Sequence, residues 1–176
     1  MSKQFLQGFL CVLAFTANVT SAQTTEISTE YLMTFYAPLD PPQQVDPALA
    51  IYNVREGGWV KGPKIKGTLL TPTADWLRVM PGGSARIDVR GTIKTDDGAL
   101  IYITYSGVIS DSKESFARYV KGEVLTSKDH YFVIAPTMQT SSEKYAWLNH
   151  VQCVGKAAEV KAGENSFVKY DIYVVR

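Results

Sequence analysis

The chain has 176 residues, enough for one domain with a substantial core and too few for two comfortable ones. Its 18 basic and 17 acidic residues nearly cancel, and a neutral surface exerts no long-range pull on phosphate backbones, which argues against nucleic acid as a partner. Aromatics are plentiful, with ten Tyr, seven Phe and three Trp; like-charge blocks, low-complexity tracts and internal repeats are lacking.

Residues 1–22 read as a signal peptide. Lys3 supplies the positive region, Phe9 to Phe15 a short apolar core, and Thr20-Ser21-Ala22 the small residues before a cut at Gln23. The apolar run is too short, and too interrupted by Gly8, Thr16 and Asn18, to span a bilayer; an uncleaved anchor or a buried N-terminal helix is the alternative. The expectation is a secreted protein whose single domain covers 23–176, with no membrane span once the signal is cleaved. Cys11 leaves with the signal, so Cys153 stands alone, and a lone thiol in Val151-Gln152-Cys153-Val154 reads as a small buried hydrophobe rather than a nucleophile.

Along the mature chain, Tyr31 to Tyr36 reads as a first strand stopped by Pro38, Pro41, Pro42 and Pro47. That Pro-rich connector cannot be an interior strand, because Pro donates nothing to the ladder. Ala48 to Val54 and Lys64 to Leu70 read as strands around the Gly57-Gly58 and Gly62-Pro63 breaks, followed by a short bridge or strand at Ala74 to Arg78. Lys113 to Val120 suits a short helix ending near Gly122, and Ser141 to Leu148 a turn or short helix. His130 to Thr140, Val151 to Val160 and Phe167 to Val175 complete the strands.

The centre of the pattern is Pro81 to Val108. Two runs of alternating polarity flank Asp96-Asp97-Gly98, a three-residue hairpin loop with Gly in the left-handed region. The loop pairs Thr95 with Ala99 and so sets Ile93 opposite Ile101, Gly91 opposite Ile103 and Val89 opposite Tyr105. On the other face Thr92 meets Tyr102, Arg90 meets Thr104 and Asp88 meets Ser106. About eight or nine short strands with at most two brief helices mean a mainly β protein, and the large polar side chains of that second face favour a single antiparallel β-barrel with a wet or ligand-filled lumen.

Candidate chemistry begins from absences. The chain has no nucleophile elbow, phosphate loop, dinucleotide fingerprint or His-x-x-x-His pair. His130, His150 and Cys153 lie apart, so no metal and no cofactor are expected. Catalytic residues are unassigned. Asp88 and Arg90 share a strand face, where an Arg fork could hold an enolate, carboxylate or phenolate; Tyr102 and Thr104 lie on the same face. Asp75-Trp76 and Tyr145, Trp147 and Asn149 could supply flat apolar walls with polar edges for an aromatic ligand. Tyr145 and Trp147 could equally plug a barrel end, and Asn149 could cap backbone.

These segments resemble the bacterial and fungal family catalogued as domain of unknown function 3237, from about Trp59 to Val175. The resemblance rests on Gly62-Pro63 with Lys66-Gly67, Ala74-Asp75-Trp76, Asp88-Val89-Arg90 with Thr95 to Ala99, Tyr131-Phe132 with Pro136 and Thr140, and Tyr145 to Asn149. It implies a small antiparallel barrel with a cavity, and no established activity. The chain departs from the family pattern twice, with Val133 in place of an Arg after the Tyr-Phe pair and Met138-Gln139-Thr140 in place of Phe-Glu-Thr. Asp75, Asp88 and Arg90 remain as charged candidates.

The expected function is capture of a small apolar or aromatic molecule in the lumen. An isomerase, cyclase or lyase working without cofactor in the same cavity is the alternative, and a structural or interaction module with a filled core the third reading. The sequence leaves oligomeric state open. Its most specific expectation is that Asp88, Arg90, Tyr102 and Thr104 face the cavity.

Overall fold

The computed structural model describes residues 25–176, so residues 1–22, read as a signal peptide, and the expected cut at Gln23 lie outside the described residues. Eleven strands follow in order: β1 (Thr29–Pro38), β2 (Gln43–Asp46), β3 (Leu49–Asn53), β4 (Trp59–Lys61), β5 (Lys66–Val79), β6 (Ala85–Thr95), β7 (Leu100–Asp111), β8 (Leu125–Thr126), β9 (His130–Gln139), β10 (Cys153–Lys161) and β11 (Phe167–Val175). Helix α1 (Lys113–Val120) and a 3₁₀ helix (Glu143–His150) interrupt them. Pairing runs β5-β4-β1-β11-β10-β9-β7-β6 and returns from β6 to β5, all antiparallel, which closes an eight-stranded barrel. β3 and β2 extend beyond the ring from the second half of β5, and β8 adds to β10.

The central hairpin carries the expected register, from Lys94 opposite Leu100 to Ala85 opposite Ile109. Thr95 N–H donates to the Ala99 carbonyl and Gly98 N–H to the Thr95 carbonyl, both at 2.9 Å. Gly98 has φ +90°, where a side chain would be strained. The Asp97 carboxylate accepts from the Thr95 hydroxyl and Lys144, both at 2.5 Å, which holds its pKa down at about 2 and ties the turn to the 3₁₀ helix.

Two differences from the sequence reading concern strand continuity. The Pro-rich connector contains the short strand β2, exposed throughout and at the open edge of the sheet, where prolines before and after it leave no ladder bond missing. The third strand and the segment at Ala74 to Arg78 are one long strand, β5, with a register shift between Leu70 and Ala74. The extra residues turn Thr73 inward, where it is 2% exposed. Its side chain fills the space above Gly91, at which a Cβ would lie 2.6 Å from the threonine hydroxyl.

The face that looks inward is the aliphatic one. Ile87, Val89, Ile93, Ile101, Ile103 and Tyr105 are buried and join Met33, Phe35, Ile134, Tyr170 and Ile172 in one core. Rings of Phe35, Tyr105 and Tyr170 meet with centroids 5.8 to 6.1 Å apart. An eight-stranded barrel is just wide enough for such side chains to fill it, and burying Asp88 and Arg90 there would strip both of water. The expectation that Asp88, Arg90, Tyr102 and Thr104 face a cavity is therefore corrected: they point outward. Asp88 and Arg90 form an ion pair at 3.2 Å with each side chain 53% exposed, an arrangement worth little to stability.

Arg90→Leu is expected to change unfolding free energy by no more than about 0.5 kcal/mol, whereas Ile103→Asp, which buries an unpaired charge, costs about 4 kcal/mol or more. Urea unfolding of both variants measures the contrast.

Candidate functional site

The sequence-derived candidates separate into three places. Trp76, Asp88, Arg90, Tyr102 and Thr104 lie on the outer wall. There the Arg90 guanidinium sits 5.7 Å from the centre of the Trp76 ring, and the Thr104 hydroxyl donates to the Val89 carbonyl at 3.1 Å. Tyr145, Trp147 and Asn149 close the barrel at the hairpin-turn end. Tyr145 is buried, with its hydroxyl donating to Asp97 at 3.2 Å. Trp147 packs partly buried against the core, and Asn149 accepts from the Thr140 N–H and donates to its carbonyl at 2.8 and 2.9 Å. These three act as a plug and a backbone cap. Val133 and Gln139, where the chain departs from the family pattern, also point outward on β9.

Asp75 alone of the nine faces inward, at the other end. Its neighbours in the register are Tyr52 on β3 and Val89 on β6, and Val89 in turn pairs with Tyr105 on β7. The β5–β6 ladder opens just beyond it: Asp75 pairs with Val89 and Arg78 with Arg86, with no paired residues between. In that gap the Asp88 N–H donates to the Asp75 carboxylate at 3.2 Å. Burial, opposed by this bond and reinforced by the Asp88 charge, raises the Asp75 pKa to about 7.

Around Asp75 gather hydroxyls that sequence reasoning missed. Tyr105 and Tyr170 are buried below it, their pKa values raised by burial and then by neighbouring charge, including that of Asp75. Tyr52 is half-buried beside it, with its pKa raised by burial and by Asp75. Tyr119 reaches in from α1, close enough to Tyr52 and Asp111 for their charges to add to the burial that lifts it to about 12. Leu77 and Ile109, partly buried against the core, complete an apolar rim. α1 is placed by Ser112, whose hydroxyl caps the Ser115 N–H at 3.0 Å, and by Arg118, which bonds Asp129 at 2.7 Å.

A second pair of polar groups lies across this mouth. Asp111 and His130 face one another at the ends of β7 and β9, with Nδ1 3.7 Å from a carboxylate oxygen. The His130 side chain is 1% exposed, and neither its Nε2 nor that Asp111 oxygen has a hydrogen-bond partner. Burial pushes His130 down and Asp111 up, so both tend toward neutrality. The only sequence signal for this cluster was the odd-numbered alternation of β7, which places Tyr105 and Asp111 on the inward face. Cys153 is buried, and that burial pushes its thiol up to about 11, which favours the protonated thiol over the thiolate. Among the described residues no three of His, Cys, Asp or Glu gather as a metal site would require, and no helix is long and apolar enough to cross a membrane.

The fold and mouth thus define a small closed antiparallel barrel with a core-filled body and, at one end, the inward-facing carboxyl of Asp75. The chain belongs to the family described as "Protein of unknown function (DUF3237)", which it matches over residues 27–175. A UPF0311 protein of Rhodopseudomonas palustris is 32% identical over 102 residues, covering 58% of this chain and 67% of that one. The hydroalkoxylation enzyme phnH of Penicillium herquei is 28% identical over 160 residues, covering 89% of this chain and 91% of that enzyme. Among solved structures, a conserved protein of unknown function from R. palustris superposes with a TM-score of 0.78 at 27% identity, over 88% of this chain and all of that one. A β-barrel-like protein from Acinetobacter baumannii gives 0.70 at 32%, over 89% and 100%.

A carboxyl whose folded pKa lies above its unfolded value binds its proton more tightly in the folded state. Asp75 therefore withdraws stability as pH rises from about 4 to about 7 and holds the loss constant above that. His130, with a lowered pKa, slopes the other way near its ordinary value, so the difference between wild type and Asp75→Asn isolates the carboxyl. That difference is expected to grow across pH 4 to 7 and to leave the variant about 1 to 4 kcal/mol more stable at pH 8, as measured by urea unfolding at each pH.

Proposed function

We propose that the barrel binds a small apolar or aromatic molecule bearing a hydroxyl at its Asp75 mouth. The observation that carries this reading is Asp75 itself, a carboxyl turned inward with its pKa raised by burial to about 7, with tyrosine hydroxyls and an apolar rim around it. A concave, mostly apolar site with a few convergent polar groups is the ordinary form of a small-molecule site. The apolar rim takes the body of the ligand, and ionised Asp75 accepts from its hydroxyl in a charge-assisted bond.

A second reading adds catalysis, and two observations favour it: the pKa of Asp75 near 7 and the likeness to a relative named as a hydroalkoxylation enzyme. Addition of an O–H across a carbon–carbon double bond forms one C–O bond and moves one proton from oxygen to carbon, with no net change of redox state. A carboxyl with a pKa near 7 can take the proton from the hydroxyl oxygen as the C–O bond forms and deliver it to the other alkene carbon as the π bond breaks. The reading also keeps an exported setting, for which residues 1–22 are the support.

The test is calorimetric titration with 2-naphthol, an aromatic body with one hydroxyl. Saturable binding at pH 8 is expected, weakened about tenfold or more by Asp75→Asn and unchanged by Lys113→Gln. Absence of binding, or equal affinity in Asp75→Asn, contradicts the proposal.

A further inference from the structure

The outer wall carries a separate feature. Along β5 and β6 the outward positions are Trp76 and Arg78, then Arg86, Asp88 and Arg90; with Ile87 they line a depression of about 210 Å³. Arg78 and Arg86 stand directly opposite one another in the register. Like charges so placed repel, and a stable sheet avoids them. The one carboxylate in the depression, Asp88, is engaged by Arg90, and Arg90 also covers the Trp76 ring. Among the described residues neither Arg78 nor Arg86 has an ion-pair partner. The floor is open as well, because β5 and β6 part between the Asp75–Val89 and Arg78–Arg86 pairs.

We infer that this depression is a binding site for a planar aromatic carboxylate, distinct from the mouth on the inner side of the wall. The guanidinium groups of Arg78 and Arg86 supply two forks for one carboxylate, the geometry in which Arg exceeds Lys. Trp76 supplies the flat apolar contact, and the Asp88–Arg90 pair holds the Trp76 side of the wall in place. The depression is of the size of a one- or two-ring acid and too small for a folded partner. An anion lying between the two arginines relieves their repulsion.

The probe is 2-naphthoate, followed by the Trp76 indole N–H resonance and by titration calorimetry. Saturable binding that shifts this resonance is expected. Arg78→Gln and Arg86→Gln should each weaken it tenfold or more, Lys94→Gln on the same outward face of β6 should leave it unchanged, and Arg86→Gln should melt no lower than wild type without ligand. No saturable binding, undiminished affinity in the Arg78→Gln/Arg86→Gln double variant, or a lowered melting temperature in Arg86→Gln overturns the inference. Binding lost in Asp75→Asn yet kept in the arginine variants assigns naphthoate to the mouth and overturns it too. Because the mouth is probed separately with 2-naphthol, either site can fail without the other.

Discussion

The structure depends on closure of β6 onto β5. Once that ladder forms, every residue of the central hairpin belongs either to a lumen just wide enough for side chains or to the outer wall. Period-two alternation then leaves no choice: the aliphatic set Ile87, Val89, Ile93, Ile101 and Ile103 goes in, and Asp88, Arg90 and Tyr102 go out. The first and last strands complete the ring, since β1 pairs with β11 along nearly its whole length, from Thr29 opposite Val175 to Pro38 opposite Phe167. β2 and the short β8 stand at the edges of the wider sheet, each paired on one side.

Filling the middle of the barrel confines chemistry to its ends, and the two ends are built differently. At the hairpin turn, Asp97 is held ionised by Lys144 and Thr95, and Tyr145 and Leu148 fill the opening. At the far end the strands outrun the core. There Asp75 sits where the β5–β6 ladder parts, accepting the Asp88 N–H and, among the described residues, forming no ion pair. The same carboxyl chemistry thus yields a pKa near 2 at one end and near 7 at the other. The difference is one of partners and water, not of residue type.

Alternation and turn chemistry made the fold legible: Asp96-Asp97-Gly98 alone set the register of β6 and β7, and the spacing from Lys113 to Val120 with Gly122 after it marked α1. The resemblance to family 3237 agreed with that reading. What alternation could not reveal was which face of the hairpin closes on itself. A face bearing Arg90, Tyr102 and Thr104 suits a wide wet lumen, while one bearing Ile93, Ile101 and Ile103 suits a narrow packed one, and strand number with closure decides between them. Asp75 was legible as a candidate, but its companions were not. Tyr52, Tyr105, Tyr119 and Tyr170 come from four separate elements and meet only because β3, β5, β7, β11 and α1 converge at one rim.

The central claim is that Asp75 is a carboxyl poised to exchange a proton inside the mouth. Carbon-13 NMR of the aspartate side-chain carboxyls, with Asp75→Asn to assign the resonance, reads this directly. The account predicts a titration midpoint for Asp75 of about 7. A midpoint near the ordinary aspartate value, about 4, would contradict it and leave the mouth without its acid.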